Sequence, residues 1–183
     1  MVNEPYWIND VLHFWFDELE EADWFSGDAG IDQEISTRFL ALHLQLVATD
    51  AAGIQEPRAL LAAVIVLDQF SRNLFRNDPR AYASDPMARR LASQAIDAGY
   101  DQALAARQRL FLYLPFEHSE HAGHQALAVE KISALDNADS TRYARLHQQL
   151  IGRFGRFPGR NAALGRQSTP EEIEALKGPN ARF

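Results

Sequence analysis

Three clusters of polar residues in this sequence carry groups that could bind an anion or move a proton. The first cluster ends a predicted central helix over 57–76, whose stretch from Ala59 to Leu67 has no polar residue and therefore predicts burial. Its candidate ligand-binding members are Asp68, Gln69, Arg72, Asn73 and Arg76. Because Asp68 and Arg72 are four residues apart, a helix places them on one face. Buried charges need partners, so the cluster is either an ion pair between helices or a pocket in which arginines hold an anion.

The second cluster lies in PFEHSEHAGHQ, residues 115–125, and combines imidazoles with carboxylates. Its titratable members are Glu117, His118, Glu120, His121 and His124. Such groups could serve as general acid and base near neutral pH, with His118 as the base and Glu117 or Glu120 orienting it. The same groups could ligate zinc or nickel, but their spacing does not match the H-E-x-x-H metal motif. We therefore expect neither a metal site nor another cofactor.

The third cluster is a loop rich in glycine and arginine over residues 152–168. Its candidate ligand-binding residues are Arg160, Asn161 and Arg166. Glycine lets backbone amides approach a ligand, and arginine offers forked donors, so phosphate or carboxylate binding is chemically reasonable. The alternative is that Phe154 and Phe157 anchor the loop in the core while its arginines pair with acids of the first helices. No nucleotide-binding or nucleophile-elbow motif is present.

Helices must position all three clusters, because hydrophobic spacing of three to four residues recurs and no stretch alternates as a strand would. The predicted helices run over 5–20, 32–53, 57–76, 85–99, 102–115, 119–135, 140–154 and 170–177. Asp32 and Asp85 are the expected N-caps of two of them, and Pro115 is expected to end or kink another. We predict an all-α fold of seven to eight helices in antiparallel hairpins, forming a single domain over 1–183.

Charge is distributed unevenly along the chain, whose formal net charge is -7. Residues 1–34 contain ten acids and no lysine or arginine, whereas residues 141–170 contain six arginines and no acid. The acidic balance argues against a nucleic-acid partner, and no apolar run is long enough to cross a bilayer. There is no cysteine, which makes a cytoplasmic location the expectation. A small anionic ligand, an acidic peptide or a protein partner remains open.

Five fragments of the chain, in order, resemble a known family. They are VLHFWF (11–16), WF (24–25), LDQFSRNLFR (67–76), FLYLPFEHSE (111–120) and RFGRFPGRNAALGRQSTPEE (153–172). Together they look like the bacterial family catalogued as domain of unknown function 924. The resemblance implies a helical fold similar to tetratricopeptide-repeat superhelices, although the repeat signature of that class, about 34 residues long, is absent. It implies no established activity.

The recurrent polar positions of that family match residues in all three clusters. They correspond here to Asp68, Gln69, Arg72, Asn73, Arg76, Glu117, His118, Ser119, Glu120, Arg160, Asn161 and Arg166. Ser71 and Gly159 stand where the family often has proline and histidine. His121 and His124 lie outside the pattern, which weakens the metal interpretation further.

Three hypotheses follow, and whether the protein is an enzyme is left open. The first is a binding or scaffold protein in which Arg72, Arg76 and Arg160 hold an anion beside His118 and its neighbouring glutamates. The second is a small hydrolase that uses His118 as general base, with Glu117 or Glu120, while arginines stabilise negative charge. The third is a structural charge network in a protein that binds other proteins.

Overall fold

A computed structural model describes residues 5–178 of the chain. Its α-helices are α1 Tyr6–His13, α2 Ala29–Ala48, α3 Pro57–Val64, α4 Ser71–Leu74, α5 Arg80–Ala83, α6 Asp85–Asp97, α7 Ala106–Glu117, α8 Ala122–Ser133, α9 Ala138–Phe154 and α10 Pro170–Ala175. Two π-helical segments, Phe14–Glu18 and Ile65–Phe70, and two 3-10 turns, Tyr100–Ala103 and Pro158–Arg160, complete the regular structure. No strand occurs within residues 5–178, and the predicted all-α class is confirmed.

The chain divides into two compact units. The first comprises Met1–Arg76 and Arg80–Leu104, and the second comprises Asn77–Pro79 and Ala105–Phe183. The first polar cluster lies in the first unit, whereas the second and third clusters lie in the second unit. The single domain over 1–183 and the tetratricopeptide-like arrangement stay predictions.

The central helix is buried as predicted, but it is not a regular α-helix throughout. Every residue from Ala59 to Phe70 is buried, and the stretch Ile65–Phe70 is π-helical. A π-helical turn pairs residues five apart and therefore disturbs the usual bonding of backbone carbonyls. Two serine hydroxyls donate to the carbonyl oxygen of Leu67, Ser84 at 2.6 Å and Ser71 at 2.9 Å. The buried Leu67 carbonyl in the π turn is thereby hydrogen-bonded.

An aromatic cluster fills the core of the first unit around Phe70. The Phe70 ring lies 5.9 Å from Phe14, 5.4 Å from Trp15 and 4.9 Å from Phe39. The indole nitrogen of Trp24 donates to the carbonyl oxygen of Trp15 at 2.8 Å. Each fully buried aromatic stabilises the fold by roughly 1.5–3 kcal/mol. Both π-helical segments thus contribute aromatic side chains to this core.

The N-cap predicted for α2 is wrong. Asp28 caps the helix instead, accepting hydrogen bonds from the backbone nitrogens of Gly30 at 2.7 Å and Ile31 at 3.1 Å. The prediction failed because two aspartates near the helix start both suit an N-cap by residue type. Asp32 instead lies in the first turn, where its carboxylate is available for contacts with other elements. The helix ends at Ala48, earlier than the predicted Gly53.

Helix α6 also begins differently, with Ser84 at the N-cap position and Asp85 as the first helical residue. Asp85 is buried, and its carboxylate contacts an arginine rather than capping the helix. The predicted end of this helix near Gly99 is correct, since Gly99 has a φ of 72° in the left-handed region that glycine favours.

In the second unit, α7 continues two residues beyond Pro115 and ends at Glu117. A proline removes only its own backbone donor, and the backbone nitrogen of His118 still donates to the Leu114 carbonyl at 2.8 Å. Helix α8 begins at Ala122 with His121 as N-cap, later than the predicted Ser119. A capping box of Thr169 and Glu172 opens α10, as predicted.

Among residues 5–178, no helix is both long and apolar enough to span a bilayer.

Candidate functional site

The first cluster is organised around Arg72, which holds two buried carboxylates. Its guanidinium donates to Asp85 through two nitrogens, Nη1 to Oδ1 at 3.0 Å and Nη2 to Oδ2 at 3.2 Å. The Nη1 atom also lies 3.3 Å from Oδ1 of Asp68 and donates to the Asp68 backbone carbonyl. The side-chain amide of Gln69 donates to the other oxygen of Asp68. The predicted Asp68–Arg72 pairing is present, and Asp85 joins it.

Because this cluster is buried, its charges would cost free energy if they were not paired. Asp68 is 1% exposed and Asp85 is 5% exposed, so neither carboxylate can rely on water. Burial alone would lower the pKa of Arg72, but the charges of Asp68 and Asp85 outweigh it and raise that pKa above its usual range. The guanidinium therefore stays charged and neutralises part of a buried negative charge. This geometry is that of an internal brace between the central helix and α6.

Asn73 and Arg76, near the end of the same helix, both donate to the carboxylate of Asp32, which is more exposed than the two carboxylates that contact Arg72. Oδ1 of Asp32 accepts from Asn73 Nδ2 at 2.7 Å and from Arg76 Nη2 at 2.7 Å, while Oδ2 accepts from Arg76 Nε at 2.8 Å. Burial would raise the pKa of Asp32, but the hydrogen bonds from Arg76 and Asn73 lower it overall. The Arg76 side chain is 45% exposed and that of Asp32 is 21% exposed. Three donors thus hold a partly exposed anion.

In the second unit, Glu117 contacts a histidine that the sequence did not single out. Its Oε1 lies 3.0 Å from Nδ1 of His147, and both side chains are buried. The same Nδ1 lies 2.9 Å from the backbone carbonyl of Tyr143. Since both neighbours are acceptors, Nδ1 carries the proton. His147 lies on α9, thirty residues beyond Glu117, and no local spacing in the sequence indicates the contact.

The histidines of the second cluster lie between the end of α7 and the first turn of α8. The half-buried His118 ring lies 6.2 Å from the His147 ring, and the His121 and His124 rings are 4.8 Å apart. The hydroxyl oxygen of Ser119 lies 2.8 Å from Nδ1 of His124. Across residues 5–178, no group of three histidine, cysteine or acidic side chains is placed to hold a metal ion.

Glu120 fastens the glycine and arginine loop. Its carboxylate accepts from Arg166 through both oxygens, at 2.7 Å and 2.9 Å, and from the backbone nitrogen of Phe157 at 2.8 Å. Burial would raise the pKa of Glu120, but the hydrogen bonds from Arg166 and Phe157 lower it overall. Arg160 is buried, donates to the His118 carbonyl at 2.9 Å and lies 4.3 Å above the Phe157 ring. Through Arg166 and the Phe157 backbone, Glu120 therefore holds the loop in place.

A second fastening joins the loop to α10 through Glu172. Arg156 donates to its two oxygens at 2.6 Å and 2.8 Å, and Asn161 donates to Oε2 at 3.2 Å. The hydrogen bond from Arg156, with that from the Thr169 backbone, lowers the pKa of Glu172 to about 2. The acids that pair with Arg156 and Arg166 thus come from α10 and from the turn before α8, not from the first helices.

Comparisons with known proteins agree with this fold. The solved structure of the protein of unknown function ATU0120 from Agrobacterium tumefaciens is 37% identical, with a TM-score of 0.88, and the match covers 93% of this chain and 97% of that one. No curated protein matches the chain. The family model described as bacterial protein of unknown function (DUF924) matches residues 11–180. The chain therefore belongs to the DUF924 family of bacterial proteins.

Proposed function

We propose that this protein binds a small anion, a carboxylate or a phosphate, between Asn73 and Arg76, and that Asp32 occupies this position when no ligand is bound. The observation that carries the proposal is the convergence of three donors, at 2.7–2.8 Å, on the single carboxylate of Asp32. An arginine fork with a neighbouring amide is the arrangement that recognises a planar carboxylate or a phosphate. An anionic ligand would compete with Asp32 for the same donors.

Exposure distinguishes Arg76 from the other arginines that the sequence analysis names as candidate ligand-binding residues. Arg72 is held by two buried carboxylates, and a ligand that displaced them would leave buried charges unpaired. Arg166 is bidentate on Glu120, which also holds the loop backbone. We infer that Arg72, Arg166 and Arg160 stabilise the fold and do not bind the ligand. Release of Asp32 should cost less than release of the buried carboxylates, because the Arg76 side chain is 45% exposed and water can replace part of the contact.

Composition bears on the cellular location of the protein and on the class of its ligand. The absence of cysteine suits the cytoplasm, and the net charge of -7 disfavours a nucleic acid, whose many phosphates it would repel.

Titration calorimetry of the purified protein with phosphate and with a small dicarboxylate tests the proposal. Asp32→Ala removes the competing carboxylate, so we expect about fivefold tighter binding, the equivalent of about 1 kcal/mol. Glu34→Ala is the matched control, since Glu34 is an exposed acid in the same turn of α2 and pairs with Arg38 instead. Arg76→Gln should abolish binding. Equal affinity of the wild type, Asp32→Ala and Arg76→Gln proteins would overturn the proposal.

A second candidate is a small hydrolase with His118 as general base. It is supported by a carboxylate–imidazole pair, a recurring part of such sites, close to His118. The imidazole that Glu117 orients at 3.0 Å is that of His147, whose ring lies 6.2 Å from the His118 ring. An assay with p-nitrophenyl esters and phosphates tests it. Turnover that is lost in His118→Ala and kept in His121→Ala would support it, and absence of turnover in the wild type would remove it.

A further inference from the structure

A groove follows one face of α9 in the second unit and is separate from the polar clusters described above. Its volume is about 520 Å³, and it is lined by residues of α9 and of the turn before it. The lining residues are Asp136, Asn137, Ala138, Thr141, Arg142, Arg145, Leu146 and Gln149. Positions 138 to 149 span about 16 Å along the helix axis at a rise of about 1.5 Å per residue. The groove is therefore elongated.

The arginines of this groove are available, unlike those that fasten the loop. Arg145 is exposed and makes no hydrogen bond or ion pair with any residue in the range 5–178. Arg142 is 52% exposed, and its only acidic neighbour across that range, Asp139, lies 3.7 Å away and is also exposed. A pair of this kind contributes little.

The charge of the groove changes along its length. Asp136 lines the groove from the turn before α9, and Asp139 lies in the first turn of that helix, whereas residues 141–170 contain no acid. The part of the groove from Thr141 to Gln149 is therefore positive. The Arg142 guanidinium lies 4.4 Å above the ring of Tyr143, which is itself exposed. Arginine and tyrosine are the residue types enriched in the centres of protein interfaces.

We propose that this groove binds an acidic peptide segment of a partner protein. Charge complementarity selects an acidic segment, and the length of about 16 Å accommodates about five residues of extended chain at about 3.3 Å each. Arg142 and Arg145, one helical turn apart, pair with two acidic side chains of that segment. Leu146 lies between them and Gln149, and it offers an apolar contact. This site is in the second unit and is independent of the anion site at Asn73 and Arg76.

Fluorescence anisotropy with a labelled octapeptide of glutamate, serine and leucine tests the proposal, alongside the same peptide with glutamine in place of every glutamate. The wild type should bind the glutamate peptide at least fivefold more tightly than the glutamine peptide. Arg142→Gln/Arg145→Gln should lose at least fivefold in affinity. Arg153→Gln should lose less than twofold, because Arg153 is an exposed arginine on α9 outside the groove.

Three outcomes would overturn the proposal. One is equal affinity of the wild type for the glutamate and glutamine peptides. Another is a loss of binding free energy in Arg153→Gln that is half or more of the loss in the double variant, which removes twice the charge, because attraction by overall charge would give that ratio. The third is tighter binding of a short single-stranded RNA than of the peptide, with the same loss in the double variant. Circular dichroism of each variant confirms that the exposed substitutions leave the fold intact.

Discussion

Substitution of Arg72 by methionine removes the guanidinium and keeps an unbranched side chain of similar length. Asp68 and Asp85 then remain buried, at 1% and 5% exposure, without the cation that contacts both. Removal of one partner from a buried ion pair costs about 3–5 kcal/mol. Because a melting temperature changes by about 2–4 °C per kcal/mol in proteins of this size, we expect a decrease of about 6–20 °C.

Urea unfolding followed by far-UV circular dichroism measures this loss directly. Arg90→Met is the matched control, since Arg90 pairs with exposed Asp50 at 3.1 Å and its loss should cost under about 0.5 kcal/mol. Combining Arg72→Met with Asp68→Asn and Asp85→Asn should recover part of the stability, because no unpaired charge stays buried. A loss below about 1 kcal/mol for Arg72→Met would refute the assignment of this cluster as a brace.

Two further predictions concern pH. His43 is buried and neither ring nitrogen has a hydrogen-bond partner within residues 5–178, and burial lowers its pKa. At low pH the unfolded chain therefore binds a proton at His43 that the folded chain does not bind, so the free energy of unfolding should fall as pH drops below about 6.5. His43→Leu should flatten this pH dependence, whereas His13→Gln, at an exposed histidine, should not. Glu172 has a pKa of about 2, so its contribution is present above the unfolded value of about 4.3 and is lost as pH falls toward 2. Urea midpoints of Glu172→Gln and wild type should therefore differ at pH 6 and converge at low pH, and a constant difference would contradict this.

The sequence predicts the helices well because their signals are local. The apolar stretch from Ala59 to Leu67, the proline at the start of α3 and the capping box of Thr169 each depend on residues within one or two turns. The π-helical turn at Ile65–Phe70 was not predicted, because an all-apolar stretch has the same appearance under either hydrogen-bonding pattern.

The partners of the polar residues were harder to predict because they depend on tertiary contacts. In the sequence, Asp32 and Asp85 each have the residue type of an N-cap near the start of a helix. The packing of α2 and α6 beside the central helix instead brings Asp32 to Arg76 and Asp85 to Arg72. The contact between Glu117 and His147 joins positions thirty residues apart. Residue types therefore indicated candidate side chains, but not which of them contact one another.

The decisive measurement is the affinity of Asp32→Ala for phosphate or a small dicarboxylate, compared with that of the wild type by titration calorimetry. If Asp32 competes with the ligand, Asp32→Ala should bind it about fivefold more tightly than the wild type, and Glu34→Ala should bind it with the affinity of the wild type. Unchanged affinity in Asp32→Ala would contradict it, because Asp32 would then not compete with a ligand for Asn73 and Arg76.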